Sequence, residues 1–366
     1  MNGDVSESTY DRKRSFEATP EPAGEHESGD VDPLEAPVGS EFVVQQHHAT
    51  ALHHDVRLEM LNGDVPVLVS WAVPKGLPRR RGERHLAIRT EDHPMKYATF
   101  AGSIPEGEYG GGEVRIYDHG SYELVGRSDD RLTFRLFGER LAGVWHLVHT
   151  GPMNGKDGWL AIMSEDERQD SDPWPDADPM QATPSDQPDD EEGWGYEPRW
   201  PGMRVLARCT DETHLFDSAG EEITDTFPDL GRLHDRVVAL DAMVDGVVVA
   251  FDDGRPSPER LDEALDRDSD APTPIAYLLF DLLYLDGKDI SDRPLRERRE
   301  LLEKLIVPND KVQLSPLTEG NGTALLSAVA EQGLDGVVAK RLDSRYEPGT
   351  TEDWLLIPAT ADRTLA

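Results

Sequence analysis

The chain has 366 residues and a formal charge of −36, with 37% hydrophobic and 30% charged residues. That length holds two cores, and no apolar run approaches the ~20 residues of a membrane-spanning helix or the apolar core of a signal peptide. Its single cysteine, Cys209, excludes a disulfide framework and a cysteine-only zinc site, so a cytoplasmic, reducing compartment is expected.

Residues 1–40 are rich in Glu, Pro, Ser and Gly without hydrophobic period, which predicts a disordered acidic tail. Over residues 41–163 short apolar or alternating runs follow, among them FVVQQH, VPVLVSWAV, HLAIRT, RLTFRLFG and GVWHLVHT, separated by Gly, Pro and acidic turns. They predict a compact, mostly antiparallel β-domain, a small barrel or sandwich. Residues 164–193 carry twelve acidic side chains against one basic one, which predicts an acidic disordered linker extended by its own repulsion. From residue 194 to 366, runs such as MVDGVVVAF and IAYLLFDLLYL mix with helical stretches, PLRERRELLEKLI and GTALLSAVAEQG, and predict an α+β domain. The acidity sits mainly in tail and linker, with a further excess in the C-terminal half. Between Glu41 and Glu123 there are twelve acids and nine bases, with a basic cluster at LPRRRGER. The net charge therefore does not exclude a nucleic-acid partner.

Four of the chain's twelve histidines fall between His47 and Arg57, in HHATALHHDVR. If LHHDVRLE is a strand, Leu52, His54, Val56 and Leu58 share one face, and His53, Asp55, Arg57 and Glu59 the other. A neutral imidazole and a carboxylate two residues apart suit a first-row metal, and the arginine beside them offers a planar fork for phosphate oxygens. A third ligand would come from the preceding strand, with His47 and His48 both candidates. The competing reading is a solvated polar strand face. Further on, Lys75 in SWAVPKG, His85 in ERHLAIRT, His93 and Tyr97 in RTEDHPMKYATF, and the glycine-rich IPEGEYGGGEV complete the polar set.

In this order, FVVQQHHATALHHDVRLE, SWAVPKG and LAIRTEDHPMKYATFAGSIPEGEYGGGEVRIYDHGSYE resemble the 3′-phosphoesterase domain of bacterial DNA ligase D, over residues 41–163. The resemblance implies a small β-barrel that removes 3′-phosphates or 3′-terminal ribonucleotides from DNA or RNA ends in repair by non-homologous end joining, using a divalent metal, usually manganese. It implies His47, His53 and Asp55 as metal ligands, which decides between His47 and His48. It also implies Arg57 and His93 at the scissile phosphate, with Tyr97, Lys75 and His85 in support. His85 stands where the family usually has an arginine, and His54 where it has a tyrosine.

The second half resembles the adenylation domain of ATP-dependent DNA ligases, a nucleotidyltransferase-like fold, over residues 197–358 through YEPRWPGMRVLA, VDGVVVAFDDGRPS, YLLFDLLYLDGKDI, GLDGVVAKRLDSRYEPG and DWLLIP. The departures fall on the chemistry. Arg199 replaces the nucleophilic lysine, Pro201 the aspartate after it, Val247 an acidic residue, and Leu356 and Pro358 two lysines; Asp335 is a mild change for glutamate. Gly202, Arg204 and Lys340 keep their places in a degenerate nucleotide site. Arginine stays protonated and cannot attack as a free amine, so a pseudo-ligase is expected. No room is expected beyond residue 358 for the further domain that ligases close over DNA. The expected partners are DNA 3′ ends, in a primer–template or nicked duplex, and repair proteins such as Ku or a ligase, with no membrane. A non-catalytic scaffold for repair is the alternative, and an active ligase a remoter one.

Overall fold

The computed structural model describes residues 9–23, 40–62, 65–153, 155–167, 171–188, 190–265 and 273–359. The chain divides into two units, Met1–Gln169 and Asp170–Ala366. Among the described residues no helix is long and apolar enough to cross a membrane.

The first unit is built from ten strands: β1 (Glu41–His48), β2 (Leu52–Asn62), β3 (Val65–Val73), β4 (Arg84–Arg89), β5 (His93–Pro94), β6 (Gly102–Ile104), β7 (Gly112–Ser128), β8 (Arg131–Gly138), β9 (Ala142–Met153) and β10 (Lys156–Asp166). Eight of them close a ring in the order β1-β2-β3-β4-β10-β9-β8-β7, and β7 pairs back onto β1. The expected small β-barrel is what forms, and closure removes the open edges that β-proteins must otherwise protect. The short β5 pairs with β3, and β6 with β7. A side chain at Gly112 would collide with the His48 carbonyl, so glycine is what lets β7 close on β1.

Val56, Leu58, Leu68, Trp71, Phe134 and Trp145 are buried in the unit's core. On β2 the polar face is buried as well, with Asp55 and Arg57 enclosed beside Val56 and Leu58. A solvated strand face is therefore ruled out. A buried charge must be paired, and this one is.

Residues 9–23 depart from the expected disordered tail; residues 1–8 and 24–39 lie outside the described residues. Tyr10 is fully buried against Leu68 and Tyr97, with Phe16 packed on the same cluster, and its hydroxyl donates to the Pro22 carbonyl at 2.8 Å. Averaged composition hides two aromatic anchors in an otherwise polar stretch.

The second unit has the α+β make-up expected. One sheet runs Met180–Pro184, Gly349–Pro358, Gly336–Arg341, Trp194–Pro198 and Thr318–Glu319. A second centres on Met203–Cys209, Ala242–Asp252 and Ile275–Leu285, and helices Leu295–Leu305 and Gly322–Glu331 complete the unit. The segment expected to be a free linker, 164–193, is corrected in its described parts. Its first residues finish β10, and Met180–Pro184 pairs in parallel with Gly349–Pro358. Trp174 stacks on Tyr284 with ring centroids 4.1 Å apart, and Met180 is wholly buried. Charge repulsion did not decide the outcome because these two apolar side chains pack on the unit's hydrophobic core.

Candidate metal and phosphate site

The β1–β2 register assembles the site. His47 lies opposite His53, Gln45 opposite Asp55, and Val43 opposite Arg57, while His48 faces Leu52. Directly opposed residues share a sheet face, so His47 joins His53 and Asp55, and His48 does not. One ligand atom from each of His47, His53 and Asp55 lies within 4.8 Å of the others. The Asp55 carboxylate is 3.6 Å from His47 Nδ1 through Oδ2, and 3.6 Å from His53 Nε2 through Oδ1.

The outer nitrogens fix the chemistry of the inner ones. His47 Nε2 donates to the Gly110 carbonyl at 2.8 Å, and His53 Nδ1 to the Ala51 carbonyl at 3.0 Å. A carbonyl oxygen only accepts, so both rings carry a proton on the outer nitrogen, and the inner nitrogens, Nδ1 of His47 and Nε2 of His53, face Asp55. Histidines oriented by such backbone contacts are a common feature of metal sites. Two imidazoles and a carboxylate on one face fit a first-row divalent ion.

Arg57 locks onto this cluster from inside the barrel wall. Its Nε donates to Gln45 Oε1 at 2.7 Å, Nη1 to Ser70 Oγ at 2.8 Å, and Nη2 to Asp55 Oδ2 at 2.9 Å. Burial alone would raise the Asp55 carboxyl, but the Arg57 charge and the His47 contact outweigh it and hold the group well below the usual carboxylate range. Asp55 is ionised and ready to serve as a ligand.

His93 Nδ1 lies 2.9 Å from Arg57 Nη1 and 2.9 Å from the Glu91 carbonyl. Burial, and then the Arg57 and Arg14 charges, push His93 well below the ordinary imidazole value, so it is neutral. Tyr97 stands beside it with ring centroids 4.8 Å apart, and its hydroxyl donates to Glu21 Oε1 at 3.1 Å. The structure thus brings His47, His53, Asp55, Arg57, His93 and Tyr97 together. Lys75 is exposed in the turn after β3. His85 is held by the Gly76 carbonyl at 2.8 Å and Glu83 at 3.2 Å, and neither Lys75 nor His85 bonds to the cluster among the described residues. His54 points away against Tyr117, and burial, with the neighbouring His53, pushes it down to about 3.

Sequence reasoning missed the residues that residues 9–23 supply. Arg14 Nη2 is 3.4 Å from His93 Nε2, its Nε donates to Glu21 at 2.8 Å, and its Nη1 reaches Glu91 at 3.3 Å. The guanidinium lies over the Tyr10 ring, 3.7 Å from its centroid. The available signal was the basic run Arg12–Lys13–Arg14 between two aromatics in an acidic stretch.

In the second unit, Arg199 is exposed on the segment after Trp194–Pro198. Lys340 is buried, with Nζ 3.1 Å from Glu197 Oε1 and 3.8 and 4.2 Å from the Phe280 and Trp354 ring centroids. Burial lowers its pKa, and the Glu197 charge opposes the shift. Arg204 forks onto Asp245 with both contacts at 2.5 Å, and the Tyr346 hydroxyl donates to the same carboxylate at 2.6 Å. A side chain at Gly202 would collide with the Val248 carbonyl.

Residues 45–149 match the DNA ligase D 3′-phosphoesterase domain, and residues 179–357 the ATP-dependent DNA ligase domain. The multifunctional non-homologous end joining DNA repair protein LigD of Mycobacterium tuberculosis is 37% identical over 351 residues, covering 93% of this chain and 43% of that protein. LigD of Pseudomonas aeruginosa is 33% identical over 399 residues, covering 94% and 46%. The chain spans less than half the length of these curated relatives. The solved ligase domain of M. tuberculosis LigD aligns with a TM-score of 0.42 at 29% identity, over 49% of this chain and 60% of that one. The chain thus joins a 3′-phosphoesterase domain of the DNA ligase D family to an ATP-dependent DNA ligase domain.

Proposed function

We propose that the barrel is a metal-dependent phosphoesterase that removes a 3′-phosphate or 3′-terminal ribonucleotide from DNA ends in repair, and that the ligase-type domain does not adenylate. The observation that carries the first part is the convergence of His47 Nδ1 and His53 Nε2 on an ionised Asp55, beside Arg57 and His93. His47, His53 and Asp55 would hold a divalent cation such as Mn2+, which supplies Lewis-acid neutralisation of charge at phosphorus.

The chain's own residues do the rest. Gln45, Ser70 and Asp55 accept three of the five N–H groups of Arg57, so the fork is fixed before substrate arrives and stabilises phosphoryl charge without reorganising. Neutral His93 presents an unprotonated Nε2 next to the Arg14 guanidinium, where it can accept a proton from the attacking oxygen. Tyr97 and Tyr10 exclude water from that face.

The second part rests on chemistry at one position. Arg199 stands where the motif needs a lysine, and the retained Lys340 is paired with Glu197 across two aromatic rings. DNA ends are the proposed partner, with Ku or an active ligase as proposed protein partners. The test is incubation of a 3′-phosphate primer–template with the full chain and manganese, beside labelled ATP. Release of phosphate without an AMP adduct is expected; no release, with manganese bound, would overturn the first part.

A further inference from the structure

The basic run LPRRRGER has no part in the mechanism above, and the barrel registers bring it to the open end of the site. Side-chain exposure rises along β2 from 3% at Arg57 to 10% at Asp55 and 23% at His53. The Arg57 end is closed by the Tyr97 ring, 4.7 Å from the guanidinium, and by Tyr10 on His93, with ring centroids 4.9 Å apart. A strand whose 3′ end is held there leaves past His53. His54 pairs with Val73, the last residue of β3, so the β3–β4 turn, residues 74–83, starts beside His53. Asp55, Ala72 and Ile88 form one row across β2, β3 and β4 and share a sheet face. Because β2 and β4 both run antiparallel to β3, Leu86 falls level with His53, and Arg84 one step beyond it on the same face. Two strand spacings across and two residues along put Arg84 roughly 12 Å from His53. The turn between them is braced from beneath. Leu77 and Pro78 are buried, the Trp145 indole N–H donates to the Pro78 carbonyl at 2.9 Å, and the Gly82 N–H to the Met163 carbonyl at 2.8 Å. Glu83, the one acid in the turn, accepts the backbone N–H groups of Arg79 at 3.0 Å and Arg80 at 3.2 Å. Arg81 and Arg84 are exposed, and neither enters an ion pair or a side-chain hydrogen bond among the described residues.

We propose that Arg81 and Arg84 form the surface that receives the sugar–phosphate backbone of the strand leaving the site, at the first phosphodiesters 5′ of the attacked 3′ end. The proposal rests on the phosphoesterase reading for the identity of the end, while backbone binding by the turn stands or falls separately. A guanidinium fork matches phosphate oxygens, and contacts to the backbone position a strand without reading its sequence, as an end-processing site requires. A turn already fixed by Trp145, Met163 and Glu83 loses little freedom when it binds. On a chain of charge −36, two unpaired arginines at the open end offset the long-range repulsion where a polyanion must approach.

The experiment has two arms on the full chain with manganese. Fluorescence anisotropy with a labelled oligodeoxynucleotide ending in a 3′-hydroxyl reads binding without turnover. Steady-state kinetics compare a 3′-phosphorylated oligonucleotide with a nucleoside 3′-phosphate, which is too short to reach the turn. Arg84→Glu and Arg81→Glu should each weaken oligonucleotide binding about fivefold and flatten its salt dependence by about one ion. The same loss should appear in KM for the oligonucleotide with kcat held, and the nucleoside 3′-phosphate should be unaffected. Arg131→Glu makes an identical charge change at an exposed, unpaired arginine on β8, three strands round the ring from β2, and should alter neither arm. Unchanged oligonucleotide affinity in both turn variants would overturn the proposal. An equal loss in Arg131→Glu would overturn it by showing an effect of net charge alone, and equal losses on the nucleoside 3′-phosphate would do so by showing a merely structural role. If the parent chain hydrolyses neither substrate, the phosphoesterase reading fails, and the anisotropy arm still decides the turn.

Discussion

The two units treat their polar machinery in opposite ways. In the barrel, backbone carbonyls orient His47 and His53 so that one nitrogen of each faces Asp55, and Arg57 is held by three acceptors beside that ionised carboxylate. In the ligase-type unit Lys340 is buried in an internal pair with Glu197, and Arg199 is exposed. Yet both units are well packed, with Tyr196, Leu206, Val249 and Trp354 as buried as Trp71 and Phe134. Packing depends on apolar volume and pattern, whereas catalysis depends on a few charged groups whose placement packing alone does not fix.

The contrast breaks most visibly at the metal ligands. Asp55→Ala or His53→Ala should lower 3′-phosphate release by about 10³-fold or more, since several kcal/mol of charge stabilisation go with the ion. Calorimetry should show manganese binding lost in the same variants, and a chelator should abolish activity of the parent chain. A fully active Asp55→Ala protein would remove the distinction between the two units.

Arg14→Ala tests whether residues 9–23 belong to the site. It removes a cation beside His93 and one ion-pair partner each from Glu21 and Glu91, so kcat should fall by about 10²-fold, the cost of one electrostatic donor. Wild-type kcat in that variant would mean these residues only cover the barrel.

In the other unit, Lys340→Met leaves Glu197 buried with Ser315 and a distant Arg299, and urea unfolding should show a loss of about 3 kcal/mol. No loss would mean that Lys340 is free for chemistry. The smallest effect is expected from Arg199→Lys, which should yield no covalent AMP adduct with labelled ATP. Pro201, Val247, Leu356 and Pro358 still stand in place of the motif's polar residues. A labelled band in either the parent or this variant would erase the contrast.

Much of this was legible because strand alternation is local. The alternation of residues 52–59 alone put His53, Asp55 and Arg57 on one face, and turn residues marked the barrel's strands. Spacing left His47 and His48 equivalent, because the choice belongs to the β1–β2 register, a relation between two strands. The same limit hid Arg14 and Glu21. Their partners, His93 and Tyr97, lie more than seventy residues away, and only those partners give an acidic, proline-rich stretch a reason to order.

By itself, then, the sequence determined residue chemistry and strand faces: which groups can ligate, that Arg199 cannot act as a free amine, and where apolar runs require strands. Tertiary structure decided which of these groups meet. The β1–β2 register set His47 rather than His48 beside Asp55, Trp174 and Met180 overrode the charge of the described part of residues 164–193, and burial among Tyr10, Tyr97 and two arginines kept His93 neutral. The physical reason is that covalent neighbours fix periodicity, while burial, ion pairing and desolvation arise only between segments that the chain brings together from afar.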